Sequence, residues 1–322
     1  MSIDTFTDFI KGLPITPESK WSRDSLAKLA LCNAEEPLFR DRKTLLKADQ
    51  LGLWTRWFLE GLASPLSFLD NSNTKFHIFD IVYKGIEAMY PTSDRLSKRE
   101  LADAISEHLY AEVTRLRNHE GRDRATTEKR RELIEASSPP RCYLCGYSFS
   151  KEAIDKFLGV KGRDPINIPD LVDIFRPRGI TERDLTIEVE HVVPVAANGS
   201  GQENLQLSCG WCNKYKGAKL SIYDARSAPS RTSYSIAGKS LNELPEPFWG
   251  IRLLAIHPRC QHEDGCDETT KTSEIFIALR DLNGSPNPTN IRFYCKTHDP
   301  LSTHRFISRT EATRIWERRK KV

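Results

Sequence analysis

Two Cys-x₂-Cys pairs, Cys142/Cys145 and Cys209/Cys212, bracket an acid–histidine dipeptide, Glu190-His191. A Cys-x₂-Cys turn presents two thiolates to one metal ion, and two such turns make a closed, tetrahedral, structural zinc site. Between the pairs, Leu185 to Val189 alternates as a strand and delivers Glu190 and His191; Asn204 and Asn213 follow. An imidazole titrates near neutrality and suits a general base. The Glu190 carboxylate and the Asn213 amide carbonyl are oxygen donors of the type a hard divalent ion takes. A second set, Cys260-x₅-Cys266 with Cys295-x₂-His298, has the composition of a second structural zinc site; His262 competes for its fourth position. Asn290 to Cys295 echoes Asn204 to Cys209, as in a decayed copy of the first module. Ala278-Leu279-Arg280-Asp281 stands where an acid–histidine pair would be needed, so this set is expected to be structural and not catalytic.

In this order, Cys142-x₂-Cys145, Glu190-His191-Val192-Val193-Pro194, Asn204 and Cys209-x₂-Cys212-Asn213 resemble the HNH endonuclease motif of the ββα-metal (His-Me finger) superfamily, over about residues 141–217. The resemblance implies metal-dependent hydrolysis of DNA phosphodiesters, most naturally in double strands, by a restriction or anti-phage defence effector. Such a reaction needs an activated water and a cation for the developing charge. His191 is then the general base, Glu190 and Asn213 hold one Mg²⁺ or Mn²⁺, and Asn204 ties down the loop behind the base. The four-cysteine zinc is a staple beneath the site. Neighbours on a regular strand face opposite ways, so Glu190 and His191 share one site only if the strand twists or bulges there. The competing reading is a non-catalytic two-zinc nucleic-acid-binding protein, for which His191 and Asn213 have no use.

The elements that position these residues read as an α+β chain. Residues 1–117 form a helical domain of unknown role: Ser22 opens a helix with Leu26, Leu29 and Ala30. Further helices run through Leu45 to Leu62 and Phe79 to Tyr90, and a fourth starts at the capping box Ser97-Lys98-Arg99-Glu100. Trp54 and Trp57 are expected in its core, as is the lone Cys32. Residues 118–140 read as a basic linker helix ended by Pro139-Pro140, 141–225 as the nuclease domain, and 226–322 as a C-terminal zinc-binding region with a basic tail. Within the nuclease domain, Ser150 to Leu158 and Pro169 to Phe175 read as short helices.

Charge is nearly balanced: 48 basic against 44 acidic residues give +4. Any grip on a polyanion is therefore local. The candidates are Lys214, Lys216 and Lys219 on the helix after the second Cys pair, and Arg318, Arg319, Lys320 and Lys321 in the tail. Arg115 to Arg131 is either a solvated linker or a phosphate-contacting arm; Arg176, Arg178 and Arg183 could also face DNA. The helical domain carries no reader motif and suits docking of a protein partner. No apolar run of membrane-spanning length and no leader-like start are present, and seven of eight cysteines fall into metal-type sets. A cytoplasmic protein is expected.

Overall fold

The computed structural model describes residues 7, 10–11, 36–117, 125–192, 202–225, 234–236, 239–241 and 244–320. The expected Ser22 helix and Cys32 lie outside them. The chain divides into two compact units, Met1–Ala48 and Asp49–Val322. In the first, a one-turn helix, Glu36–Phe39, is followed by Arg40 and Asp41 in the left-handed region.

Helix α1 (Lys43–Leu62) continues into the second unit, where α2 (Lys75–Met89) and α3 (Arg95–Arg117) pack as a pair. Ile78, Val82 and Ile86 recur every four residues on α2 and meet Ala102, Ile105, Leu109 and Val113 of α3, which places one apolar stripe against another. The start of α3 departs from expectation. Asp94 accepts the Ser97 N–H at 2.9 Å, so the helix begins ahead of the capping box read from the sequence. Trp54 and Trp57 also depart, being 52% and 58% exposed rather than core. Arg117 closes α3 by donating to the Phe68 and Asn73 carbonyls at 2.6 and 2.7 Å, a structural use for one residue of the basic run.

Helices α4 (Thr127–Glu135) and α5 (Lys151–Leu158) follow. The expected helix over Pro169 to Phe175 is instead strand β1 (Leu171–Asp173), its register Leu171↔Ser308 set by a strand far along the chain. Strands β2 (Ile187–His191) and β3 (Leu205–Cys209) pair antiparallel, and helix α6 (Gly210–Lys216) starts directly at the end of β3. Gly210 is required at that junction, because a Cβ there would sit 2.0 Å from the Arg183 carbonyl oxygen. Beyond it come the short pair β4 (Tyr234–Ile236) and β5 (Lys239–Leu241), then α7 (Pro247–Ile256). The hairpin β6 (Ile275–Leu279) and β7 (Ile291–Cys295) follows, and β8 (Phe306–Ser308) leads into α8 (Arg309–Lys320). The whole is mixed helix and small sheets, α+β. Among the described residues no helix is long and apolar enough to cross a membrane.

Two ion-pair systems, one half-buried and one fully buried, tie these pieces together. Asp49 on α1 accepts from Arg252 of α7 at 2.6 Å and from the Ile222 N–H at 2.7 Å. Arg305, at the head of the supposed basic tail, is fully buried. Its guanidinium donates to Asp299 at 2.6 and 2.9 Å, to Asp173 at 3.0 and 3.2 Å, and to the Ile277 carbonyl at 2.7 Å. Every nitrogen of the fork has an acceptor, which is the condition under which a buried arginine is tolerated. Arg305→Met strands two buried carboxylates and is expected to cost about 3–5 kcal/mol, read as a shift in chemical denaturation. A shift under about 1 kcal/mol would show the network to be dispensable.

Candidate functional site

Cys142, Cys145, Cys209 and Cys212 converge with all four sulfurs within 4.8 Å of one another, and all four residues are buried. Cys260, Cys266, Cys295 and His298 converge in the same way. A tetrahedron with zinc–sulfur bonds of about 2.3 Å has sulfur–sulfur edges of about 3.8 Å and sulfur–nitrogen edges of about 3.6 Å. The spacings fit: Cys145 to Cys209 and Cys266 to Cys295 are each 4.0 Å, while His298 Nδ1 lies 3.6 Å from Cys260 and 3.4 Å from Cys295. Each set can hold one zinc ion. The fourth position of the second set belongs to His298; His262 stacks on its ring at 4.1 Å and stands outside the ligand group.

The first set has surroundings that the sequence did not disclose. Arg178 Nη1 donates to Cys145 Sγ at 3.3 Å, its guanidinium lies 3.7 Å from the Tyr147 ring centroid, and it pairs with Glu274. Arg176 is buried beside it and reaches Glu274 at 3.0 Å and the Ile275 carbonyl at 3.0 Å. Burial works against a charged guanidinium, but Glu274 and the Cys145 thiolate outweigh it, so Arg178 titrates well above its ordinary value. Two of the three arginines with a possible DNA-facing role are therefore inside: Arg176 and Arg178 serve the thiolates, while the third, Arg183, pairs with Glu188. The Ile275 N–H donates to the Cys145 carbonyl at 2.9 Å, so β6 is anchored on the first cysteine knuckle. Gly146 allows that approach: it has φ +73°, and a Cβ there would overlap the Ser273 carbonyl.

Both sets are built to one plan. In each hairpin five residues pair with five, Ile187↔Cys209 in one and Ile275↔Cys295 in the other, so a cysteine ends the second strand. Arg141 and Arg259, each just before the first cysteine, form a lone β-bridge with Ser148 and Thr269. The residue after that cysteine, Tyr143 or Gln261, donates its N–H to a carbonyl two residues before the hairpin cysteine, Leu207 or Phe293. The same register puts Ala278 and Leu279 at the positions of Glu190 and His191. Asn290 corresponds to Asn204; its amide donates to the Asp281 and Ser285 carbonyls at 2.9 and 3.0 Å and fastens the loop between β6 and β7.

The acid–histidine pair closes strand β2, and pairing runs through His191↔Leu205 without a bulge. Glu188 and Glu190, two residues apart, both turn to helix α6. Asn213 donates its amide to Glu188, and Lys216 donates to Glu190 Oε1 at 2.6 Å and to the His191 carbonyl. His191 is half-buried and alternation turns its ring to the other face. The backbone of Asn204 lies across the hairpin mouth, accepting the Val192 N–H at 2.8 Å. The loop of residues 193–201 lies outside the described residues. Tyr143 has a buried hydroxyl without a hydrogen-bond partner among the described residues. Burial, and then the charge of Glu190, raise its pKa, so the phenol stays protonated and can donate.

Of the residues expected to meet phosphate, Lys214 and Arg318 are exposed. Lys216 is buried, which corrects its expected role. Lys219 donates to the Tyr215 carbonyl at 3.1 Å and closes α6. Arg319 pairs with Glu246 at 2.7 Å; Lys320 ends α8, and Lys321 lies outside the described residues. Trp316 of α8 packs on Trp211 and Tyr215 of α6, at 6.4 and 5.9 Å between ring centroids, so the tail helix lies against the hairpin's own helix.

In comparisons with protein-family models, curated proteins and solved structures, nothing matches this chain.

Two zinc ions per chain are expected from elemental analysis. Cys209→Ser should lose one and melt the β2–β3 hairpin with α6, because a structural zinc contributes on the order of 10 kcal/mol. Cys295→Ser should lose the other and keep the first. One zinc, or none, in folded protein would refute the pairing.

Proposed function

We propose that the chain is a metal-dependent endonuclease of the HNH type, cutting DNA with a nuclease domain over residues 141–225. The observation that carries this reading is the hairpin and helix on the four-cysteine knuckle. They set Glu190 and His191 at the end of one strand, Asn204 just before the next, and Asn213 of α6 against Glu188, two residues ahead of Glu190. His191 is the general base that takes a proton from the attacking water. Glu188, Glu190 and the Asn213 amide offer hard oxygen donors, the chemistry a Mg²⁺ or Mn²⁺ requires. When bound, such an ion would supply positive charge for the phosphate and the departing oxygen. An in-line displacement separates entering and leaving oxygens across the phosphorus. Both oxygens belong to one phosphate, so with no bulge in β2 the reading requires the twist of the strand end to bring Glu190 and His191 to a common site.

A restriction enzyme or an anti-phage effector is the context proposed, with double-stranded DNA as substrate, a cytoplasmic setting, and protein partners docking on the helices before residue 118. Lys214 and Arg318 are the side chains best exposed to take phosphate. The second reading, a two-zinc nucleic-acid-binding protein without catalysis, draws support from the second hairpin, where Ala278 and Leu279 replace the reactive pair. It does not account for Glu190, His191 and Asn213 in the first.

Purified protein should convert supercoiled plasmid to nicked or linear forms only with Mg²⁺ or Mn²⁺ added. His191→Ala should lower the rate by at least about 10²-fold at unchanged zinc content. Wild-type cutting by the folded variant would remove His191 from catalysis. DNA binding without cutting under any divalent ion would favour the second reading.

A further inference from the structure

Lys216 is the last residue of a seven-residue helix and has only 7% of its side chain exposed; its partner Glu190 has 15%. An ammonium group is costly to bury unless its charge is met and its protons are taken. Here the acceptors are Glu190 Oε1 at 2.6 Å and the carbonyl of His191. One cation thus holds two consecutive residues, and they are the two on which the proposed reaction turns. The carboxylate two positions earlier, Glu188, is met differently, by the neutral amide of Asn213 and the Nε of the exposed Arg183 at 3.2 Å. A positive charge at Glu190 is therefore fixed in the fold.

We infer that Lys216 is a tethered cation of the active site, which positions Glu190 and the backbone of His191 and competes with the divalent ion for the Glu190 carboxylate. This rests on the nuclease reading above. Lys216 acts through its neighbours and is a positioning residue. Two opposed effects follow from one contact. Without the ammonium, Glu190 is a freer and more negative donor, so a divalent ion binds more tightly. The end of β2 also loses a tie, so turnover falls even when the ion is saturating. A lysine that served stability alone gives the opposite first effect, because a loosened strand end binds an ion more weakly.

The test measures Mn²⁺ binding to full-length, zinc-loaded protein from the electron paramagnetic resonance of the free ion. Wild type is compared with Lys216→Met, Lys216→Arg and Glu190→Gln. Removing the competing charge should tighten Mn²⁺ binding in Lys216→Met by about tenfold, while Lys216→Arg stays near wild type. Plasmid cleavage at saturating Mn²⁺ should drop in the methionine variant and recover in the arginine variant. Mn²⁺ should also raise the melting temperature of Lys216→Met more than that of wild type, a readout that survives if the variant is only marginally folded. Equal or weaker Mn²⁺ binding, or an equal or smaller rise in melting temperature, would overturn the proposal. Glu190→Gln that binds Mn²⁺ like wild type would instead remove the ion assignment itself, and the proposal with it.

Discussion

Four thiolates gathered in a buried space present a charge problem, and much of the second unit is arranged around its solution. One zinc ion among four thiolates leaves two negative charges, and burial penalises them. Arg176 and Arg178 bring two positive charges inside, Glu274 holds both guanidinium groups, and Tyr147 covers one of them. Because Glu274 immediately precedes β6, the arginines that offset part of the first set's charge also fix the hairpin that carries the second. The two centres are coupled through electrostatics as well as through the backbone bond from Ile275 to Cys145.

The two hairpins share a register, a bridge before the first cysteine and an asparagine at the head of the second strand, and they diverge where chemistry would occur. Strand β2 ends in Glu190 and His191 and turns its carboxylates to a helix that answers with Asn213 and Lys216. Strand β6 is buried along its whole length, and no carboxylate occupies it. One copy of the plan is thus polar at the strand end and the other apolar. Packing explains the second: β6 pairs with Phe293 of β7, gives its Ile277 carbonyl to Arg305, and lies against α7, where Gly250 lets Ile277 approach closely.

The cysteine sets are legible because ligand spacing is local, and so is the strand that carries Glu190 and His191. Amphipathic stripes give α2 and α3. What escapes the sequence are contacts between residues far apart. Arg176 and Arg178 meet Glu274 almost a hundred positions away, and Arg305 meets Asp173 at still greater separation. Exposed and buried arginines look alike in a sequence, since the difference lies in the acceptor. Lys216 is hidden for the same reason: its helix reads correctly, but its partner lies on a strand. Strand β1 reads as a helix because its apolar run is short and its register comes from β8. Trp54 and Trp57 read as core by residue type alone, which tertiary placement overrides.

Zinc K-edge X-ray absorption on the full-length protein tests the two-centre scaffold most directly, because it counts ligands without reference to any activity. One site of four sulfurs and one of three sulfurs and a nitrogen should average 3.5 sulfurs per zinc. The sulfur ligands should lie at about 2.3 Å and the minor nitrogen component at about 2.0 Å. Coordination dominated by oxygen and nitrogen, or a sulfur count near two, would contradict both centres.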